Sequence, residues 1–411
     1  MPAMRTRGQP AAVAAVRAML DSGMPHALLL VGPSGVGKTT LALDIAAALL
    51  CVADVAPSDR PCGVCRGCRA VAHGNHPDLH RLAPTGAGTV IGIGGKDERG
   101  VRELVGGLSL LPVEGGARVA LVSQADRMTE DAQSALLKTL EEPPARTTIV
   151  LCADDEERML PTIRSRCVRL RLGPVAVRDV EAILEERGVA DAPTASRLAR
   201  LSGGRPGLAM AYALAPEAAV LRGEIGRTLL DLLAEGRTRR LVGVRDLAAR
   251  AGELAKALAL GAARAGADVG VAEAAPAKGR GRGRPATSGA AGPTAGDGAD
   301  GGEAAEATEE AGGRVARVPA AERRRAAMTL VGAWRELVRD LGLVAAGQTS
   351  AIHQPALLED LQAVLPRFDA AATAAALTRL DDAGEQLEGN VSPELVLDVL
   401  ALRWRQPARA A

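Results

Sequence analysis

The sequence predicts an α/β chain in which a parallel-sheet phosphate-binding core is followed by helical modules. Three observations lead there. Short apolar runs alternate with helical patterns from Met1 to about Leu172, a glycine-rich loop follows the first of those runs, and only helical periodicity persists from Gly173 onward. At roughly 150 residues per domain, 411 residues suit two or three domains, each able to bury a core.

Within the first region, Ala27–Val31, Val119–Ser123, Thr148–Ala153 and Val168–Leu172 read as strands, and Leu41–Leu50 as the helix after the first of them. Residues 173–216 read as a small helical lid, with helices at Asp179–Arg187 and Ala195–Leu201 and a break at Gly203-Gly204. Residues 217–269 and 314–411 read as one all-α domain. Its later helices are expected at Glu322–Leu343, Pro355–Leu365, Phe368–Ala383 and Ser392–Trp404. The interruption, 270–313, is mainly Ala, Gly, Pro, Thr and charge, and is expected to be disordered because it cannot bury enough apolar area to offset its chain entropy.

Composition narrows the function. Fifty Lys plus Arg against 49 Asp plus Glu leave a formal charge of +1, so no global field draws the chain onto nucleic acid or an acidic membrane. Tyr212, Trp334, Phe368 and Trp404 are the only aromatics, too scattered for a base-stacking platform. Met1 to Gln9 lacks the apolar core of a signal peptide, and no run of about 18 apolar residues suits a bilayer span. A cytoplasmic protein with no membrane partner is expected, and the crowding of Cys51, Cys62, Cys65 and Cys68 suits a metal site in a reducing compartment.

The sharpest motif is the phosphate loop Gly32-Pro33-Ser34-Gly35-Val36-Gly37-Lys38-Thr39-Thr40, set between a strand and a helix. Its glycines let backbone N–H groups wrap phosphates. Lys38 is placed to reach the β and γ oxygens of ATP or ADP, and Thr39 to coordinate magnesium. Hydrolysis further needs acids after the second strand, for magnesium and for the attacking water. That strand instead runs into Ser123-Gln124-Ala125-Asp126, with Asp126 expected at the start of the next helix. Efficient self-contained hydrolysis is therefore not expected.

The cysteines form C-x10-C-x2-C-x2-C, which suits one structural, tetrahedral zinc with no position left open for substrate. His73, His76 and His80 read as loop or strand residues. With Arg60, Arg66 and Arg69 as its basic residues and no aromatic, the module is not expected to read DNA. Further on, the helix through LLKTLEEPP must stop before Pro143-Pro144. In the insertion, Arg-Gly-Arg-Pro at 282–285 resembles the core of a minor-groove hook, but the nearby acidic residues make a charged tether the favoured reading.

Taken in order, HALLLVGPSGVGKTT from His26, the cysteine cluster, His76-Pro77-Asp78, LLKTLEEPP and Ser165-Arg166-Cys167 resemble the bacterial clamp-loader branch of the AAA+ proteins. The specific motifs cover about residues 8–210, and the remainder is similar only in helical character. The resemblance implies an AAA+ core over 1–172 with a zinc module at 51–68, a lid over 173–216, and a collar domain that holds a five-subunit ring together. Its implied partners are the gamma or tau and delta subunits and, through the ring, the sliding clamp and primer-template DNA. In that family the Ser-Arg-Cys arginine enters a neighbour's ATP site, which implies Arg166 as a finger supplied in trans. Arg205 falls where a lid arginine that senses nucleotide is expected. Motor subunits carry acids where this chain has Ser123 and Gln124, and a polar sensor where it has Ala153. A stator is thus implied, the alternative being an active gamma- or tau-like motor ATPase.

Overall fold

The computed structural model describes residues 4–84, 90–95, 100–114, 116–268, 318–368, 370–389 and 391–404. The insertion at 270–313 and its Arg-Gly-Arg-Pro run lie outside the described residues. Five strands, β1 (Ala27–Val31), β2 (Leu79–Leu82), β3 (Arg118–Val122), β4 (Thr147–Ala153) and β5 (Val168–Arg171), form one sheet in the order β2-β3-β4-β1-β5. Every pairing is parallel. All the strands therefore end on the same edge, where loops from different parts of the chain converge.

The apolar runs are strands because both faces of the sheet are covered. Successive side chains alternate between faces. Leu28 and Leu30 join Leu41, Ile45 and Leu121 in one core, while Ala27 and Leu29 join Leu136, Ile149 and Ile163 in the other. Four strands fall within a residue of their expected bounds. β2 was not anticipated: Leu79-His80-Arg81-Leu82 is short and half polar, and its extended form is held by pairing along β3, from Leu79 opposite Val119 to Leu82 opposite Val122.

After the sheet come Val177–Glu186, Ala192–Leu201 and Pro206–Leu214, then Pro216–Ala234, Arg237–Asp268, Ala320–Ala345, Leu358–Val364, Ala370–Glu388 and Pro393–Arg403. The long periodic stretch from 217 is two helices, parted at Glu235-Gly236. At 355 a single turn, Pro355–Leu357, leads into the helix that the sequence placed there. Apolar side chains from Val175 to Trp404 pack as one cluster, distinct from the two that flank the sheet, so the short helices before 214 share their core with the long ones after it. The Trp334 and Trp404 rings meet there at 4.6 Å. Among the described residues, no helix is long and apolar enough to cross a membrane.

Candidate functional site

β1 delivers the chain to Gly32 at the carboxyl end of the sheet. The loop passes so close to the end of β5 that a Cβ at Gly32 would lie 2.1 Å from the Leu172 carbonyl oxygen. Gly35 and Gly37 take positive φ angles of +83° and +106°, where a side chain would be strained, and Gly37 turns directly into helix Lys38–Leu49. No side chain caps that helix, so its first N–H groups are left for an anion. Thr39 and Thr40 follow, half-buried, in its first turn.

Lys38 is 7% exposed, and its ammonium has three donors to place. It donates to the carbonyls of Gly32 at 2.6 Å and Pro33 at 2.9 Å, and to Asp154 Oδ1 at 2.6 Å. Asp154 directly follows β4, whose Ala153 is in register with Val31 of β1. Nothing in the local sequence marks Asp154; the register between β1 and β4 sets it beside the loop.

Asp126 is also placed differently from expectation. Gln124, with φ of 54°, bends the chain into a single turn, Ala125–Arg127, and the following helix, Glu130–Glu141, starts later, capped by Thr129. The turn buries Asp126 beside Asp154, and its Oδ1 has no partner among the described residues. Burial, and then the charge of Asp154, raise its pKa. The two acids expected of a motor ATPase are Ser123 and Gln124, yet a carboxylate does lie at this end of β3.

The loop touches its neighbours on two sides. Gly207 N–H, in the first turn of helix Pro206–Leu214, donates to the Gly35 carbonyl at 2.9 Å. Gln9 Nε2 donates to the Val36 carbonyl at 3.5 Å and to the Gly173 carbonyl at 2.6 Å, tying the N-terminal segment to the loop and to the chain that leaves β5. Arg205, expected as a lid arginine that senses nucleotide, lies beside the loop, its Cβ 3.5 Å from where a Cβ on Gly35 would stand. Its guanidinium pairs with Glu336, which also holds the buried Arg222 at 3.0 Å. Burial raises the Glu336 pKa, but the two arginines outweigh it and leave the carboxyl below its ordinary value.

The cysteine module begins where helix Lys38–Leu49 ends. The four Sγ atoms of Cys51, Cys62, Cys65 and Cys68 all lie within 4.8 Å of one another. Cys51 to Cys65 spans 3.8 Å and Cys62 to Cys68 spans 4.0 Å. Zinc at about 2.3 Å from each sulfur would require edges of about 3.8 Å, so the donor set fits a tetrahedral ion. Backbone N–H groups of Cys65 and Cys68 donate to Cys62 and Cys65 at 3.3 and 3.4 Å. Burial pushes the Cys65 thiol up, but the N–H groups of Cys68 and Val52 outweigh it and bring the pKa down to about 6.

His76-Pro77-Asp78 has a different task. Asp78 accepts the N–H groups of Val113 at 2.7 Å and Glu114 at 3.1 Å, while His76 accepts from Asp78 N–H at 3.1 Å and faces Glu114 at 3.6 Å. Glu114 in turn pairs with Arg66 at 2.6 Å, which ties the cysteine module to the core.

Arg166 stands elsewhere. It follows the short helix Pro161–Arg164 and precedes β5, so it lies at the amino end of a strand whose carboxyl end faces the phosphate loop. Its Nη1 donates to the Thr162 carbonyl at 2.9 Å and its Nη2 pairs with Glu141 at 2.6 Å. Glu141 closes the helix that Pro143-Pro144 terminates, and was not anticipated as its partner.

Comparison with known proteins bears on these features. Residues 8–176 match the family described as "DNA polymerase III, delta subunit". The DNA polymerase III subunit delta' of Pseudomonas aeruginosa is 40% identical over 182 residues, 44% of this chain and 53% of that protein. Its Escherichia coli counterpart is 37% identical over 186 residues, 45% and 54% of the two. Residues 8–176 are thus similar to the subunit delta' of bacterial DNA polymerase III. The DNA polymerase III subunit tau of Salmonella typhimurium is less similar, at 33% over 177 residues, 42% of this chain and 26% of that protein. The chain spans about half the length of the curated delta-prime relatives it matches.

Proposed function

We propose that this chain serves as the delta-prime-type stator of a bacterial clamp loader, acting in the cytoplasm with gamma or tau and delta subunits to place a sliding clamp on primed DNA. It hydrolyses no nucleotide efficiently by itself and completes a neighbour's ATP site with Arg166. The observation that carries this reading is the placement of Arg166. β5 separates it from its own phosphate loop by roughly 13 Å, four residues at about 3.3 Å each, so its natural target is a phosphate on another subunit. A guanidinium delivered across an interface neutralises charge developing on a γ-phosphate, an effect worth about 10³ to 10⁵ in rate. Ser123 and Gln124 support the passive role, since neither supplies the carboxylate needed to ligate magnesium or activate water.

In this reading Cys51, Cys62, Cys65 and Cys68 hold one structural zinc, and Gly32, Gly35, Gly37, Lys38, Thr39 and Thr40 form a nucleotide cradle. Arg205, as part of the Glu336 and Arg222 cluster, joins the lid to the helices behind it instead of reaching the phosphates. The test is DNA- and clamp-stimulated ATP turnover by the reconstituted loader, carrying either this chain or its Arg166→Ala variant. Turnover should fall at least tenfold while assembly survives. Unchanged turnover would remove Arg166 from the ATP site and leave this chain a scaffold.

A further inference from the structure

The geometry points to Asp154 as an internal competitor for nucleotide phosphate, which keeps this phosphate loop closed on itself until a nucleoside diphosphate or triphosphate displaces the carboxylate. The inference rests on the reading of the loop as a nucleotide cradle. Lys38 spends two of its three donors on the carbonyls of Gly32 and Pro33, inside the loop. The third goes to Asp154 at 2.6 Å, and it is the one a bound phosphate would need. The side chain of Lys38 is 8% exposed and that of Asp154 is 33% exposed, so the ammonium is sequestered while the carboxylate remains free to swing out.

Surrounding charge works in the same direction. Asp126 is buried beside Asp154 and has one carboxylate oxygen without a hydrogen bond among the described residues. An incoming polyphosphate must therefore take the ammonium from one acid and settle near a second. Like charges in a partly buried site oppose this strongly. A neutral side chain of the same shape at 154 removes both the competitor and part of the repulsion, leaving the glycine loop and Lys38 intact.

The experiment titrates the full chain with fluorescently labelled ADP and ATP in the presence of magnesium, comparing wild type, Asp154→Asn, Asp154→Ser and the double variant Lys38→Ala with Asp154→Asn. Circular dichroism checks that each is folded. Asp154→Asn should bind at least tenfold more tightly than wild type, Asp154→Ser should follow it, and the double variant should lose the gain. Measurable wild-type binding that Asp154→Asn leaves unchanged or weakens overturns the competitor and spares the cradle. No binding by any variant at millimolar nucleotide overturns the cradle as well.

Discussion

Lys38, at the carboxyl end of the sheet, and Arg166, at the amino end of β5, each hold a carboxylate at 2.6 Å, yet their surroundings differ. The Lys38 side chain is 8% exposed, whereas Arg166 is 34% exposed and its partner Glu141 is 50% exposed. Lys38 has every donor committed within its own chain. Arg166 rests one arm on the Thr162 carbonyl and another on an acid that water already solvates. Burial decides what each pair does. The enclosed pair joins the helix after the loop to the residue that follows β4, while the open pair costs little to break.

The sharpest way to test this contrast is to keep charge and remove shape. Arg166→Lys in the reconstituted loader should lower turnover at least tenfold, close to the alanine variant, because an ammonium lacks the planar fork that grips phosphate oxygens. The isolated chain's Tm should not move. Lys38→Ala should do the reverse to stability, costing about 1–2 kcal/mol, well below the loss for a fully buried pair since Asp154 is a third exposed. A fall in Tm by differential scanning calorimetry reads it; no fall would mean the Lys38 pair is as loose as that of Arg166.

Asp126 sharpens the contrast through pH. Its folded pKa is raised above 3.8, so the folded chain holds this proton more tightly than the unfolded chain, and the group's contribution to stability declines as pH rises from 3.8 through the folded value. Asp126→Asn should therefore be more thermostable than wild type at neutral pH, with the gain vanishing below pH 3.8. A gain independent of pH would place Asp126 in water. The smallest effect belongs to Glu141→Gln, expected to change stability by under about 1 kcal/mol in urea melts, as exposed ion pairs do. A larger loss would show that the Arg166 end is built as rigidly as the loop.

Much of this was legible along the chain. Four strands, the phosphate loop and the cysteine spacing depend on residues close in sequence, and local pattern reports them well. β2 was hidden because four residues with two polar members carry almost no periodicity, and only the partner β3 makes them a strand. Asp44 lies in the helix after the loop, among apolar neighbours. It is buried and satisfied by Thr6, whose N–H donates at 2.8 Å and whose hydroxyl donates at 2.6 Å from 38 residues away. Arg205 was read by its position near a lid helix, but its partner Glu336 lies 131 residues further on.

The sequence by itself determined which chemical groups are present and which are missing: a glycine loop with Lys38, four thiols at ligand spacing, an arginine after Ser165, and no acids at Ser123 and Gln124. The tertiary structure alone decided how those charges are paired. It set Asp154 on Lys38, Asp126 beside Asp154, Glu336 on Arg205, and Arg166 at the far end of β5 from its own loop. The reason is physical. Backbone propensity and apolar periodicity act over a few residues, whereas the partner of a charge is whichever group the packed sheet and helices bring within reach, and burial then sets what that pairing costs to break.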